Sequence, residues 1–291
     1  MQVNEDGISA RTGLVGVFGH PVRHSLSPRI HNAAFRSQGV DMVYLAFDVP
    51  PEQLRPAIDG LRALDMRGAN LTVPHKESVM VLLDEIDPLA ARIGAVNTIV
   101  NSDGRLIGHN TDAAGFAAAL RGLVPDGARG LSFLVLGAGG AARAVVSTLV
   151  EEDAAAVWNY NRTYERAAAL CVSASEWGST KCEPIREVKL REVAAQADVI
   201  VNATSLGLGA SVKEFVIPVD TLTSGHVVVD LVYGSGPTVL VEAARGRGAV
   251  AMDGREMLIM QAASSYRLWT GLVPPVDAMR AGIDGVRKVT T

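Results

Sequence analysis

A glycine-rich turn between an apolar run and an Ala- and Val-rich run constrains the fold of this chain more than any other feature. Residues 131–136 (Leu-Ser-Phe-Leu-Val-Leu) have the pattern of a buried strand, and residues 143–150 that of a helix. The turn between them follows the pattern Gly-x-Gly-x-x-Ala and consists of Gly137, Ala138, Gly139, Gly140, Ala141 and Ala142. The first glycine allows a tight turn, the second lets the backbone approach a pyrophosphate, and the small last residue lets the helix pack on the strand. This order predicts a dinucleotide-binding domain, and a glycine-rich turn without a ligand is the alternative.

The residues about 20 positions further on indicate which dinucleotide is bound. A domain that binds NAD carries Asp or Glu at the end of its second strand, where the carboxylate accepts a hydrogen bond from the ribose 2′-hydroxyl. Here the strand ends without an acid, at Asn161, Arg162 and Thr163, and Arg166 follows one helical turn later. Guanidinium groups suit a 2′-phosphate, so we predict NADP as the cofactor. Ordinary surface arginines at a helix start are the alternative.

Short apolar runs alternate with longer helical patterns along the rest of the chain. Strand-like runs at 14–18, 43–49 and 69–73 alternate with helical patterns at 28–38 and 52–64. This alternation predicts βαβ units and a mostly parallel sheet. Residues 96–100 and 105–107 flank Asp103 and Gly104, and the Asp-Gly pair favours a tight reversal, so we expect a β-hairpin at the edge of this first sheet.

A second βαβ pattern opens at residue 131, and its further strands are expected at 156–160, 199–202 and 227–231. With 291 residues, the chain is long enough for two cores. We therefore predict an α/β protein with an N-terminal α/β substrate-binding domain (residues 1–112) and a Rossmann-type doubly wound NADP-binding domain (113–255). The C-terminal helices (256–291) are predicted to return to the substrate domain, with the last long one at 257–269.

Charge and composition argue against several classes of partner. The chain has 27 Lys and Arg against 31 Asp and Glu, a net charge of −4, which is not the basic field that nucleic-acid binding needs. The longest run without a charged residue, 199–212, is shorter than the roughly 18 apolar residues of a membrane span. The two cysteines, Cys171 and Cys182, have neither the count of a disulfide framework nor zinc-ligand spacing, and the first residues lack a signal-peptide pattern. We expect a cytoplasmic, reduced protein without a metal site. The sequence leaves the oligomeric state open, with a homodimer as one candidate.

Two serines precede the first predicted helix. Ser25 and Ser27 are two residues apart, and Pro28 after them suits the first helical position. Ser27 is therefore expected at the N-cap, and both hydroxyls are expected to lie beside a helix N-terminus, which favours a carboxylate. Capping alone is the alternative for Ser27.

Further polar residues interrupt apolar patterns in the first domain. Asn70 and Thr72 have the period of a strand and are expected on one face, with Leu71 and Val73 towards the core. Lys76 follows at the end of that strand, where a catalytic ammonium or an isolated surface lysine fits the pattern. Asn97 and the run 108–112, which ends in Asp112, complete the set. An acid and an amine that meet beside a nicotinamide form a proton-transfer pair for the reduction of a carbonyl.

Taken together, these stretches resemble the shikimate dehydrogenase family over nearly the whole chain. The quoted motifs are residues 24–28, 31–35, 70–76, 94–98, 110–112, 115–116, 137–142, 161–163, 202–205, 230–233, 261–263 and 268–269. The resemblance implies NADPH-dependent reduction of 3-dehydroshikimate to shikimate in the biosynthesis of aromatic amino acids. It also implies that Ser25 and Ser27 bind the substrate carboxylate, that Lys76 is the acid/base and that Asp112 is its partner.

The same resemblance implies the remaining site residues. The ring hydroxyls are expected on Asn70, Thr72, Asn97 and Gln261, with Tyr233 near the substrate. The 2′-phosphate is expected on Asn161, Arg162, Thr163 and Arg166. The chain departs from the commonest family pattern at His20, Leu208, residues 234–236 and Arg255 with Glu256. A quinate/shikimate dehydrogenase with looser cofactor choice and a noncatalytic dinucleotide-binding regulator are the alternatives, and the retained Ser27, Lys76 and Asp112 argue against them.

Overall fold

The computed structural model describes residues 7–206, 217–234 and 236–284. Within these residues the chain forms two compact units. Unit 1 comprises the described residues up to Thr111 and from Leu258 onward, and unit 2 runs from Asp112 to Met257. The predicted α/β class with two domains and returning C-terminal helices is confirmed.

Unit 1 is built on a six-stranded mixed sheet. Its strands are β1 (Gly13–Gly19), β2 (Met42–Asp48), β3 (Gly68–Leu71), β4 (Glu85–Ile86), β5 (Thr98–Ser102) and β6 (Arg105–His109). Its helices are α1 (Ser27–Gln38), α2 (Leu54–Ala63), α3 (His75–Ser78), α4 (Pro88–Ile93), the part of α10 (Arg255–Thr270) from Leu258 onward, and α11 (Val276–Asp284). The strand order is β2-β1-β3-β5-β6-β4. Strands β2, β1 and β3 are parallel, whereas β5 runs antiparallel to both β3 and β6.

The predicted hairpin is the pair β5 and β6. Its two turn residues, Asp103 and Gly104, have φ of 52° and 86°, because a two-residue turn that follows the twist of its strands needs positive φ at both positions. The hairpin is not the edge of the sheet as predicted, since the two-residue strand β4 pairs with β6 outside it. A strand this short carries too little pattern to be recognised in the sequence.

Apolar side chains cover both faces of this sheet. On one face, Val15 and Val17 of β1 pack with Ile30 and Phe35 of α1 and with Tyr266 of α10. On the other face, α2 packs against β3 and β5 in a separate cluster. The N-terminal and C-terminal segments of the chain therefore share one core.

Unit 2 is built on a six-stranded parallel sheet. Its strands are β7 (Ser132–Leu136), β8 (Ala156–Tyr160), β9 (Lys181–Ile185), β10 (Val199–Asn202), β11 (Val227–Asp230) and β12 (Val250–Met252). Its helices are α5 (Asp112–Arg121), α6 (Gly140–Glu151), α7 (Tyr164–Trp177), α8 (Leu190–Gln196), α9 (Val239–Gly246) and the first turn of α10. The strand order is β12-β11-β10-β7-β8-β9, so the connections change direction between β7 and β10, as in a doubly wound dinucleotide-binding fold.

The central strands of unit 2 are buried on both faces. Val135 and Val201 belong to one cluster, which includes Val145 and Leu149 of α6, and Leu134 and Ile200 belong to a second. Strands β9 and β12 were not predicted, because edge strands bury less of their surface and carry a weaker apolar pattern. None of the helices in the described ranges combines the length and the apolar composition of a membrane span.

Candidate active site

In unit 1, the loops that follow the parallel strands β1 and β3 leave the same edge of the sheet and contact each other. The backbone N–H of His20 donates to the carbonyl of Val73 at 3.0 Å. A Cβ on Gly19 would lie 2.3 Å from Cγ2 of Thr72, so glycine is required where the loops approach. Ligands in α/β folds bind outside the carboxyl ends of the strands. The predicted Ser25 and Thr72 lie on these two loops, and Ser27 and Lys76 lie in the helices that follow them, α1 and α3.

The two serines lie at the start of α1. The backbone N–H of Ser27 donates to Oγ of Ser25 at 3.3 Å, so the two residues are held in contact. The prediction that Ser27 is the N-cap is wrong. The N-cap is Leu26, which has helical φ and ψ and no capping side chain, and its carbonyl accepts from the N–H of Ile30. Helix α1 therefore begins at Ser27, one residue earlier than predicted, and Ser27 is its buried first residue and not its cap.

Lys76 lies in α3, the single turn of helix that follows β3. Its backbone carbonyl accepts from the N–H of Val96 at 2.8 Å, which fixes α3 beside the residue that precedes Asn97. The Lys76 side chain is half-buried. Strand β3 ends at Leu71, and the N–H of His75 closes a turn on the carbonyl of Thr72. Val73 is therefore 62% exposed at the turn instead of facing the core as predicted.

Three of the predicted substrate residues, Asn70, Asn97 and Gln261, belong to one buried hydrogen-bonded network in unit 1. The Asn97 Nδ2 lies 2.9 Å from Oγ1 of Thr111 and 3.4 Å from Oε1 of Gln261. The Asn97 Oδ1 accepts from the backbone N–H of Thr111 at 2.7 Å. The Asn70 Nδ2 donates to the Asn97 carbonyl at 3.1 Å. These polar groups satisfy one another, and such a network holds its side chains in fixed orientations.

Sequence reasoning missed three members of this network. Oγ of Ser265 lies 2.8 Å from Oγ1 of Thr98 and 3.0 Å from Nδ2 of Asn70. The hydroxyl of Tyr44 donates to Oδ1 of Asn70 at 2.7 Å. For Ser265 a signal existed, because it follows Gln261 by four residues and so shares its helix face. Thr98 and Tyr44 carried no comparable signal.

An aromatic cluster forms around Tyr44, whose hydroxyl contacts Asn70. The rings of His31 and Tyr44 are stacked at 4.3 Å with an interplanar angle of 3°, and Trp269 lies 5.2 Å from His31. Neither ring nitrogen of His31 has a hydrogen-bond partner in the structure. Burial therefore lowers the pKa of His31 to about 3, and the ring is neutral near pH 7.

In unit 2, the glycine-rich turn has the geometry that its sequence predicts. Gly137 has φ of +108°, and a Cβ there would lie 2.9 Å from the carbonyl oxygen of Ala203, which follows β10. Gly139 begins α6 as its N-cap, and a Cβ there would meet no atom within 4 Å. The first glycine is therefore required by the fold, whereas the second leaves free space beside a helix N-terminus. A pyrophosphate fits these requirements.

Asn159 of β8 and Arg166 of α7 contact this turn. Nδ2 of Asn159 donates to the Gly137 carbonyl at 2.7 Å and thus anchors the start of the turn. A guanidinium N–H of Arg166 donates to the carbonyl of Ala138 at 3.5 Å, so this side chain lies beside the turn. Nδ2 of Asn161 donates to the Thr163 carbonyl at 2.8 Å, and Arg162 and Thr163 are exposed. Two cations and exposed donors next to free space suit the 2′-phosphate of NADP.

Tyr233 follows β11 and is half-buried. The loop that carries it is anchored by Asp230, whose Oδ1 accepts from the N–H of Val232 at 3.1 Å and whose Oδ2 accepts from Thr238 at 2.6 Å. Burial raises the pKa of Asp230, and the hydrogen bonds oppose this rise. Of the departures noted in the sequence, Leu208 and the middle residue of 234–236 lie outside the described residues.

Asp112 is the first residue of α5 and is buried. A carboxylate at this position interacts favourably with the helix dipole. Asp112 opens unit 2, directly after Thr111 of the network in unit 1.

Family models match both units. The shikimate dehydrogenase substrate-binding domain matches residues 17–99, the shikimate/quinate 5-dehydrogenase domain matches 125–231, and the shikimate 5′-dehydrogenase C-terminal domain matches 254–281. A shikimate dehydrogenase (NADP⁺) of Moorella thermoacetica is 46% identical over 276 residues, which are 94% of this chain and 92% of that protein.

Solved structures agree with these matches. Shikimate dehydrogenase of Aquifex aeolicus has a TM-score of 0.88 and 40% identity, over 95% of this chain and 99% of that one. The Thermus thermophilus enzyme in complex with NADP(H) and shikimate has a TM-score of 0.79 and 38% identity, over 93% and 98%. A quinate dehydrogenase of Corynebacterium glutamicum in complex with NAD has a TM-score of 0.86 and 33% identity, over 94% and 99%. With 46% identity across both units and domain models for each, this chain belongs to the shikimate dehydrogenase family.

Proposed function

We propose that this protein is a shikimate dehydrogenase that catalyses the reversible, NADPH-dependent reduction of 3-dehydroshikimate to shikimate. The observation that carries the proposal is 46% identity to a shikimate dehydrogenase (NADP⁺) over 94% of the chain. The reaction belongs to the biosynthesis of aromatic amino acids, and we place the enzyme in the cytoplasm. In this proposal, residues 1–112 with 256–291 bind the substrate, and residues 113–255 bind NADP.

The substrate residues are assigned by their surroundings in unit 1. Ser25 and Ser27 lie at the N-terminal end of α1, where their hydroxyls and the helix dipole favour the substrate carboxylate. Asn70, Thr72, Asn97 and Gln261 are assigned to the ring hydroxyls. The buried network supports this assignment for the three amides, because it orients them before the substrate binds. Tyr233, which belongs to unit 2, is also assigned to the substrate, on the family resemblance alone.

Lys76 is assigned to the proton transfer. When bound, NADPH supplies a hydride to the ring carbonyl carbon. The Lys76 ammonium stabilises the negative charge that develops on the carbonyl oxygen and then gives this oxygen a proton. Asp112 supports the charged ammonium. The choice of lysine is informative, because only five of the 27 cationic residues are lysines and a lysine ammonium, unlike a guanidinium, can release its proton.

The cofactor residues are assigned from unit 2. Gly137, Ala138, Gly139, Gly140 and Ala141 hold the pyrophosphate at the N-terminus of α6. Asn161, Arg162, Thr163 and Arg166 hold the 2′-phosphate. The free space at Gly139 and the position of Arg166 beside the turn support this assignment.

An assay of NADPH absorbance with shikimate and quinate, each with NADP and NAD, tests the proposal. Charge-assisted hydrogen bonds contribute roughly 1.5 to 3 kcal/mol each, so a preference for NADP on the order of 10² in kcat/KM is expected. Arg162→Ala should lower the affinity for NADP more than that for NAD. Arg129→Ala, whose side chain is 75% exposed, serves as the matched control and should leave both unchanged.

The alternatives predict different results in the same assay. Equal efficiency with NAD and NADP, or a higher kcat/KM for quinate than for shikimate, would identify a quinate/shikimate dehydrogenase with looser cofactor choice. No turnover with any pair, while NADP still binds, would identify a noncatalytic regulator. The retained Ser27 argues for shikimate as the substrate.

A further inference from the structure

The two cysteines of the chain, eleven positions apart in the sequence, are in contact in the structure. Sγ of Cys171 lies 2.6 Å from Sγ of Cys182, and the two thiols are free. Cys171 lies in α7 and Cys182 in β9, the edge strand of the parallel sheet. The contact therefore joins the last strand on this side of the sheet to the helix that precedes it.

The surroundings of the pair explain why the sulfurs face each other. Ala167, Leu170, Cys171 and Ala174 are the buried residues of α7, so Cys171 belongs to the helix face that packs inward. Cys182 is half-buried between the exposed Lys181 and Glu183, as expected for a strand that has its alternate side chains inside. Cys182 also packs against the core cluster that contains Leu170 and Ala174. Packing of the helix on the edge strand thus holds both thiols at one place.

We propose that Cys171 and Cys182 form a reversible disulfide that fastens β9 to α7 when the protein meets a low-molecular-weight disulfide. The hydrogen bond with Cys171 and burial raise the pKa of the Cys182 thiol, so only a small fraction is thiolate and the first step is slow. The half-buried Cys182 attacks first in this thiolate form, makes a mixed disulfide and releases one small thiol. The buried Cys171 then loses its proton and attacks Sγ of Cys182, which releases the second small thiol. In total the protein loses two hydrogens and two electrons, and the added disulfide is reduced to two thiols.

The bond should stabilise unit 2. The bond closes a short loop and so restricts the unfolded chain. For a loop of about 15 residues, this effect raises the melting temperature of the protein by roughly 5 to 10 °C. The bond also protects an edge strand, which is otherwise exposed to pairing with other chains. Neither cysteine is among the residues assigned to the substrate or to NADP, so the test is independent of the proposed function.

Incubation of the full chain with oxidised glutathione, or with a reducing thiol as the reference, tests the proposal. Trypsin cuts after Arg166, Lys181 and Arg186, so the cysteines fall in the separate peptides 167–181 and 182–186. The expected result is that mass spectrometry finds these two peptides joined after oxidation and separate after reduction. Oxidation should also raise the melting temperature of the unmodified protein and leave that of Cys182→Ser unchanged. Cys171→Ala is the second variant and should behave in the same way.

Three outcomes would overturn the proposal. In the first, glutathione remains attached to Cys182 and no cross-link to Cys171 forms. In the second, both thiols still react with an alkylating reagent after the oxidation. The third is a cross-link that lowers the melting temperature, since the bond would then disrupt the packing instead of fastening it.

Discussion

At the scale of single residues, Lys76 is the group on which the proposed chemistry depends. A positioned general acid contributes about 10² to 10⁴ in rate. Lys76→Ala should therefore lower kcat by at least about 10²-fold with a smaller change in KM. Lys76→Met, which keeps most of the side-chain length without the charge, should lose as much. The measurement is single-turnover hydride transfer in each variant.

The Asp112→Asn variant tests whether the two residues act together. Because groups that act as one unit are not additive, the double variant should be scarcely slower than Lys76→Ala alone. Near-normal hydride transfer in Lys76→Ala, or two losses that simply multiply, would contradict the assignment of the pair.

The serines of α1 provide a second prediction at this scale. Ser25→Ala and Ser27→Ala should each raise KM for shikimate by roughly 10-fold or more, because a hydrogen bond to a charged group is lost. Since Leu26 and not Ser27 occupies the N-cap, Ser27→Ala should not show the loss of about 1 kcal/mol that removal of a cap causes. Steady-state kinetics and thermal melting separate the two effects. Unchanged KM in both variants would leave the serines without a substrate role.

At the scale of elements, the turn between β7 and α6 separates a folding requirement from a binding requirement. Gly137→Ala should destabilise the protein by about 1 to 3 kcal/mol, because φ of +108° and the Ala203 carbonyl at 2.9 Å both oppose a Cβ. Gly139→Ala should cost less, no more than about 1 kcal/mol for the poorer N-cap, because φ is −92° and the space around its Cβ is free.

The same Gly139→Ala variant should bind NADPH at least about 10-fold more weakly, because its methyl group occupies the space assigned to the pyrophosphate. Thermal melting and NADPH titration of the two variants check the pair of predictions. Unchanged NADPH affinity in Gly139→Ala would mean that the pyrophosphate does not bind beside Gly139.

At the scale of the whole molecule, His31 is expected to limit stability in acid. Its pKa is about 3 in the folded protein against 6.5 as the ordinary value, so the unfolded chain binds a proton first as the pH falls. The contribution of the neutral ring to stability is complete above pH 6.5 and is lost progressively as the pH falls from 6.5 towards 3.

Replacement of His31 should remove this part of the pH dependence. Between pH 7 and pH 4.5 the free energy of unfolding of the unmodified protein should fall by about 2.5 kcal/mol more than that of His31→Phe. The variant keeps an aromatic ring against Tyr44 and loses no hydrogen bond, because both ring nitrogens are unpartnered. Urea denaturation at the two pH values measures the difference, with the exposed His24→Phe as control. Equal losses would mean that the folded protein accommodates the charged ring.

The sequence alone determined the features that local chemistry decides. The turn at 137–142 lies between a strand and a helix because glycine permits its φ values, and the Asp103-Gly104 pair forms the hairpin turn for the same reason. Alternation of apolar runs indicated the α/β class with two domains, and the missing acid after β8 indicated NADP. The turn and cofactor signals each lie within about 30 consecutive residues, and the alternation repeats over units of that length.

Only the tertiary structure decided which distant residues meet. Asn70 and Ser265 are 195 positions apart, and their hydrogen bond exists because α10 packs into unit 1. The contact between Cys171 and Cys182 likewise follows from the packing of α7 on β9, although each cysteine by itself carried no signal. Because α1 begins at Ser27 with Leu26 as its N-cap, Ser27 is a buried first residue and not the predicted cap. Hydrogen bonds between distant residues depend on how the elements pack, and that packing is not encoded in any short stretch of the chain.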